Sequence, residues 1–157
     1  MVRFPSSIAT ARLWLRPLAE DDSAALAAVL ADSREHLAGS IGLPDAPPAA
    51  LIARMRPTAE RWTFGVFVDG ALAGVVSVGF AGCVAELSYW LAAGALGRGY
   101  AIEAVRALAR VALGRPGTTR LLARCRADNE RSQRVARRLG LCAGGPGPDG
   151  VVDWVSP

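Results

Sequence analysis

Apolar and polar residues recur along this chain with two different periods, and the two periods mark out most of its elements. Ala11-Arg12-Leu13-Trp14-Leu15-Arg16-Pro17 alternates apolar and basic side chains, the pattern of a half-buried strand that stops at proline. Glu20-Asp21-Asp22-Ser23 then offers N-cap candidates and first-turn acids. A helix of about ten residues follows, ending near Asp32, with Leu26, Val29 and Leu30 at helical spacing. Between Ser33 and Pro48 the pattern is interrupted by Gly39, Gly42, Pro44, Pro47 and Pro48; a second short helix is expected from Ala49 to Met55.

Trp62 to Val68 reads as a strand, Asp69-Gly70 as a two-residue hairpin turn, and Leu72 to Phe80 as the antiparallel return. After Ala81-Gly82 the next strand runs from Val84 to Leu91. A helix is expected from Gly99 or Tyr100 to Leu113, burying Ile102, Val105, Leu108, Ala109 and Ala112, with Glu103, Arg106 and Arg110 on its far face. Gly114, Pro116 and Gly117 end it. Leu121 to Arg126 is a short strand, and Asp128 or Asn129 caps a helix carrying Val135, Ala136 and Leu139, with Gly140 as its terminator. Beyond Leu141 the chain is glycine- and proline-rich up to a last short strand, Val151 to Val155. The order β-α-α-β-β-β-α-β-α-β-β predicts an α/β (α+β) fold with a mixed sheet.

Size adds one constraint: 157 residues fit a single domain over 1–157 with a sizeable core. With 52% hydrophobic and 20% charged residues the chain is not a disordered one. No apolar run reaches the roughly 18 residues of a membrane span, and the first residues lack the apolar core of a secretory signal. Cys83, Cys125 and Cys142 are odd in number and lack C-x-x-C spacing, so neither a disulfide framework nor a zinc site is expected. A reduced, cytoplasmic setting follows from that usage. His36 is the one histidine, so no metal site is expected either. The net charge of +4 rests on arginine alone, since there is no lysine. Those arginines are spread along the chain, which does not indicate a dedicated nucleic-acid surface; a small polyanion satisfies the same excess, and charge alone does not decide between them.

The candidate for that polyanion is Gly97-Arg98-Gly99-Tyr100-Ala101, where a strand and loop turn into the long helix. A helix start carries unpartnered N–H groups and the positive end of the helix dipole, and glycines let an anion approach the backbone. A lone G-x-G is weak by itself, and a bare turn before a helix is the competing account. Two nucleotide patterns are excluded. The P-loop requires a lysine that the chain does not contain, and the dinucleotide fingerprint requires a small residue where Ile102 stands.

Ser88-Tyr89-Trp90-Leu91 followed by Gly97-Arg98-Gly99-Tyr100-Ala101-Ile102-Glu103-Ala104 resembles the GCN5-related N-acetyltransferases (GNAT), most of all the branch that acetylates ribosomal-protein N-termini. Three further segments resemble that branch in the same order: Thr10 to Leu18, Leu72 to Val78, and Asn129-Glu130-Arg131-Ser132 through Leu139-Gly140-Leu141. Residues 33–61 match least. The resemblance implies a mixed, mostly antiparallel central sheet of about seven strands with about four flanking helices. It implies acetyl-coenzyme A as co-substrate and a primary amine as acceptor, either a protein N-terminus or a small molecule. A homodimer is left open.

The resemblance also distributes roles. The amides of Gly97, Arg98, Gly99, Tyr100 and Ala101 would hold the coenzyme A pyrophosphate, and Tyr89, Trp90 and Leu91 would flank the pantetheine arm. Arg98 would add a charge contact or stay solvated. Leu96 departs from the family's arginine or glutamine, which shifts the burden onto main-chain amides. Asn129 and Ser132 lie three apart on one helical face. Read from the residues alone they are an N-cap and a surface serine; by resemblance Asn129 bonds the pantetheine and Ser132 is a proton donor to the leaving thiolate, directly or through water. Glu86 is the one acid on the strand before the loop. It is either a general base with a carboxyl raised by its half-apolar surroundings, or an arginine's ion-pair partner. His36 is expected in an exposed loop. The rival to an enzyme is a non-catalytic acyl-coenzyme A-binding module, raised by Leu96 and the abbreviated C-terminal hairpin.

Overall fold

The computed structural model describes residues 3–38 and 45–157; Gly39, Gly42 and Pro44, expected above to break the chain, lie outside them. In chain order the elements are β1 (Ile8–Ala9), β2 (Trp14–Arg16), α1 (Ser23–Asp32), α2 (Arg34–Leu37), α3 (Pro48–Arg54), β3 (Arg61–Val68), β4 (Ala71–Ala81), β5 (Val84–Leu91), α4 (Tyr100–Leu113), β6 (Arg120–Arg126), α5 (Glu130–Arg138), β7 (Cys142–Pro146) and β8 (Val151–Val155). Among the described residues the eight strands form one sheet in the order β1-β2-β3-β4-β5-β6-β8-β7. Every pairing is antiparallel except that of β5 with β6.

The hairpin between β3 and β4 forms because Asp69 (φ 49°) and Gly70 (φ 80°) both take the left-handed conformation that suits a two-residue turn between twisted strands. Helix α4 buries Ala104, Val105, Leu108, Ala109 and Ala112 against one face of the sheet, where Phe64, Val76, Val78 and Leu87 meet it. Each large side chain so buried contributes about 2 kcal/mol. On the opposite face α1 and α3 set Leu26, Leu51 and Ile52 against Phe67, Leu72 and the flank of Trp90.

Five details depart from the sequence reading. The strand count is eight, because the two-residue β1 pairs with β2, and α2 adds a fifth helix. Strand β7 lies in the glycine–proline stretch, where backbone pairing with β8 supplies what side-chain periodicity does not. On α4 the apolar stripe includes Ala104, while Ile102 is half-buried at the cleft described below. Glu103 is not on a solvated face: its side chain is 17% exposed and ion-paired with Arg12.

One feature of the sheet positions the site. Strands β5 and β6 pair only from Val84–Arg120 to Leu87–Ala123. Beyond that point Ser88 to Leu91 stay with β4, whereas Arg124 to Arg126 stay with β8. The sheet therefore splits down its middle, next to the N-terminus of α4.

Candidate active site

The loop after β5 is built to present amides. Its first turn is pinned by two bonds, from Ala92 N to the Ala73 carbonyl (2.7 Å) and from Ala93 N to Ser33 Oγ (3.0 Å). Ser33 is 1% exposed, a buried hydroxyl whose place the sequence did not reveal. Gly97 (φ 74°) and Gly99 (φ 79°) then take left-handed conformations that cost a side-chain-bearing residue strain. These two turns bring the chain into α4 with the backbone N–H groups from Gly97 to Ile102 finding no backbone acceptor among the described residues. Donors so arranged at a helix start hold an anion without needing a cationic side chain.

The amides open into a cleft of about 460 Å³ at the split in the sheet. Tyr89, Trp90 and Leu91 line it from β5, Leu96, Gly97, Gly99, Tyr100, Ala101 and Ile102 from the loop and α4, and Asn129 and Ser132 from the start of α5. Thus most residues singled out from the sequence are brought together. Among the described residues no carboxylate lines this cleft, while Arg131, Arg134 and Arg138 do, along one face of α5. None of the three is in an ion pair among the described residues. Their spacing of three and four residues was legible in the sequence but was hidden among dispersed arginines.

Asn129 is the helix cap: its Oδ1 accepts the Ser132 backbone N–H at 3.1 Å. The carboxamide oxygen is thereby engaged, which leaves its NH₂ as the group available to a ligand. Ser132 Oγ accepts a 3.3 Å bond from the Tyr89 hydroxyl, so the serine's own proton is free to turn toward the cleft. Burial pushes the Tyr89 phenol up, and the bond to Ser132 only partly offsets this. Tyr89 is therefore a neutral donor throughout the physiological range.

Two singled-out residues fall outside the cleft, and one expected elsewhere lines it. Arg98 does not line the cleft; it borders a shallow hollow with Asp32 and Ser33, and its carbonyl accepts a bond from Arg12 Nη1 at 2.9 Å. Glu86 lies before the split, on the sheet face opposite Leu87 and Tyr89. Its side chain is 44% exposed and 3.9 Å from Arg124, which also bonds Asp153 (3.3 Å). The apolar enclosure expected around Glu86 is absent, and the ion-pair reading describes its surroundings. His36, expected in an exposed loop, is instead half-buried on α2 and lines the cleft.

A family model described as an acetyltransferase (GNAT) domain matches residues 12–141. The chain belongs to the GNAT acetyltransferases. Membership makes it an acetyl-coenzyme A-dependent N-acetyltransferase, as the resemblance of its motifs implied. Among solved structures, this GNAT chain is similar to a Vibrio cholerae protein described as a candidate ribosomal-protein-serine acetyltransferase, at 26% identity over 95% of both chains with a TM-score of 0.84. It shares its fold with RimL, a ribosomal L7/L12 α-N-protein acetyltransferase solved with coenzyme A (22% identity, 95% and 96% coverage, TM-score 0.85). It shares it also with the microcin C7 self-immunity acetyltransferase MccE, solved with acetyl-coenzyme A and AMP (20% identity, 97% and 95% coverage, TM-score 0.83). No curated protein matches by sequence. Among the described residues no helix is long and apolar enough to cross a membrane, and no group of three or more metal-ligating side chains occurs.

Proposed function

We propose that this GNAT domain acetylates a protein N-terminal amine in the cytoplasm, taking the acetyl group from acetyl-coenzyme A by direct attack. The observation that carries the reading is the run of unpartnered amides from Gly97 to Ile102, opening into an acid-free cleft beside three arginines. That surface suits a ligand with a pyrophosphate and a further phosphate. Its fit does not require the missing side chain at Leu96. The acceptor class is the one named for the Vibrio cholerae relative and for RimL.

The two faces of the split supply the two halves of the chemistry. Tyr89 and Ser132 lie on the side of α4 and α5, and Glu86 on the other. An amine approaching from the Glu86 face forms a bond to the thioester carbonyl carbon while the carbon–sulfur bond breaks toward Ser132. Backbone N–H groups at the splayed end of β5 polarise the carbonyl. Ser132 gives its proton to the departing sulfur and recovers one from Tyr89 or water. Glu86, or a water that it orients, takes the proton of the attacking amine. No cysteine is required as a nucleophile, because no acyl-enzyme forms.

The test is a panel of N-terminal peptides, polyamines and small amines, each followed by release of free coenzyme A thiol. Peptides beginning with serine are expected to turn over, and other amines poorly. Turnover of small amines alone would replace the acceptor. Stabilisation by coenzyme A without thiol release from any amine would make the domain a binding module and not an enzyme.

A further inference from the structure

Arg12 meets the loop of Gly97 to Tyr100 at three successive residues, Arg98, Gly99 and Tyr100. Its Nη1 donates to the Arg98 carbonyl at 2.9 Å. A Cβ added to Gly99 would stand 3.3 Å from its Nη2. Its guanidinium lies 4.8 Å from the centre of the Tyr100 ring, in cation–π contact. One turn later Glu103 closes the arrangement, with Arg12 Nε and Nη2 each 2.7 Å from its Oε2. Glu103 Oε1 accepts from the Arg12 backbone N–H (2.8 Å) and from Thr10 Oγ1 (2.6 Å). Burial pushes the Glu103 carboxyl up, but the bonds from Thr10 and Arg12 outweigh it and hold the group below its ordinary range.

This arrangement answers two problems in the donor loop. Two left-handed glycines give that loop wide conformational freedom, so its amides converge only if something outside holds them. Glu103 also places a carboxylate in the first turn of α4, where it repels an anion bound at that helix start unless it is neutralised. One guanidinium fork does both. We propose that Arg12 is a positioning residue for the donor: it fixes the Gly97–Tyr100 amides and masks Glu103, although it does not line the cleft itself. The proposal rests on the reading of that loop as a pyrophosphate cradle.

The experiment compares coenzyme A with S-acetylpantetheine, which has the arm and thioester but no pyrophosphate. Coenzyme A binding is measured by calorimetry and S-acetylpantetheine by kcat/KM. Arg12→Ala is expected to weaken coenzyme A at least tenfold, a loss at least fivefold larger than the fall in kcat/KM with S-acetylpantetheine. Arg12→Lys keeps the charge but cannot reach Arg98 O and Glu103 together, and is expected to recover less than half of the lost affinity. Coenzyme A affinity within twofold of wild type in Arg12→Ala, equal losses with both donors, or full recovery with lysine would each overturn the proposal. Should Arg12→Ala not fold, Arg12→Lys carries the comparison, with at least a fivefold coenzyme A loss expected. A wild-type protein that does not bind coenzyme A at all would instead refute the cradle reading.

Discussion

Tyr89 on β5 donates a hydrogen bond to Ser132 on α5 at 3.3 Å, joining a core strand of the sheet to the helix beyond the split. The bond holds the serine oxygen as acceptor and directs its proton away from the tyrosine. Ser132→Ala is expected to lower kcat by about 10- to 100-fold. Tyr89→Phe, which leaves the serine in place, is expected to lower it by about threefold to tenfold. Steady-state kinetics at varied acetyl-coenzyme A distinguish these effects from loss of binding, because KM is expected to move little in either. An unchanged kcat in Ser132→Ala would remove it as proton donor.

Gly99 combines a φ of 79° with a Cβ position only 3.3 Å from Arg12 Nη2. A β-branched side chain is a conformational outlier there and displaces the arginine as well. Gly99→Val is therefore expected to abolish coenzyme A binding in calorimetry. Gly82, also left-handed (φ 58°) but with open space around it, is the control. Gly82→Ala is expected to cost about 1 kcal/mol of stability and to bind coenzyme A normally.

Glu86→Gln is expected to lower turnover by about tenfold or more at unchanged coenzyme A affinity, since the substitution removes a base and no donor contact. Unchanged turnover in Glu86→Gln would assign the proton to water.

Arg134 and Arg138 face the cleft without acidic partners among the described residues. If they hold the outlying phosphate of the donor, the double substitution to alanine is expected to weaken coenzyme A by about tenfold. Dephospho-coenzyme A, which lacks that phosphate, is expected to bind wild type and double variant alike. Equal losses for both ligands would move the arginines to the pyrophosphate.

Asp22 and Arg16 form a two-pronged ion pair (2.8 and 2.9 Å), and the Ala19 N–H adds a third bond to the carboxylate. The Arg16 bonds, against some desolvation, hold the Asp22 carboxyl below its ordinary value. A depressed carboxylate stabilises the fold above its unfolded pKa of about 3.9 and loses that contribution as pH falls through its lower folded value. Asp22→Ala is expected to cost about 2 kcal/mol in urea denaturation at pH 7, and the gap between variant and wild type to narrow only as pH falls below the unfolded value of about 3.9.

Local signals in the residues carried most of this fold. Asp69-Gly70 set the hairpin, the stripe from Val105 to Ala112 the long helix, and Asn129 the start of α5. Motif resemblance singled out Gly97, Gly99, Asn129 and Ser132, and the structure brings those residues together around one cleft. What escaped the sequence depends on contacts between distant segments. Glu103 looked like a surface acid because its partners Thr10 and Arg12 lie more than ninety residues away in the chain. Ser33 and His36 sit beyond a helix end whose direction no periodicity specifies, and β7 exists through pairing with β8 alone. For Glu86 the residues left a base and an ion-pair partner both open, because a strand pattern cannot report that the side chain lies half-exposed beside Arg124.

The parting of β5 from β6 after Leu87 and Ala123 divides the strands into two groups, β1 to β5 and β6 to β8, whose ladder pairing spans only four residue pairs while α4 packs across both. A donor bound in that gap is expected to act as mortar between the two groups of strands as well as a reactant. Its arrival is expected to slow amide exchange in β6 and β8, far from any atom that reacts, and its departure after turnover to loosen them again. The seam proposed to admit the donor is also the stretch of the sheet where strand pairing stops.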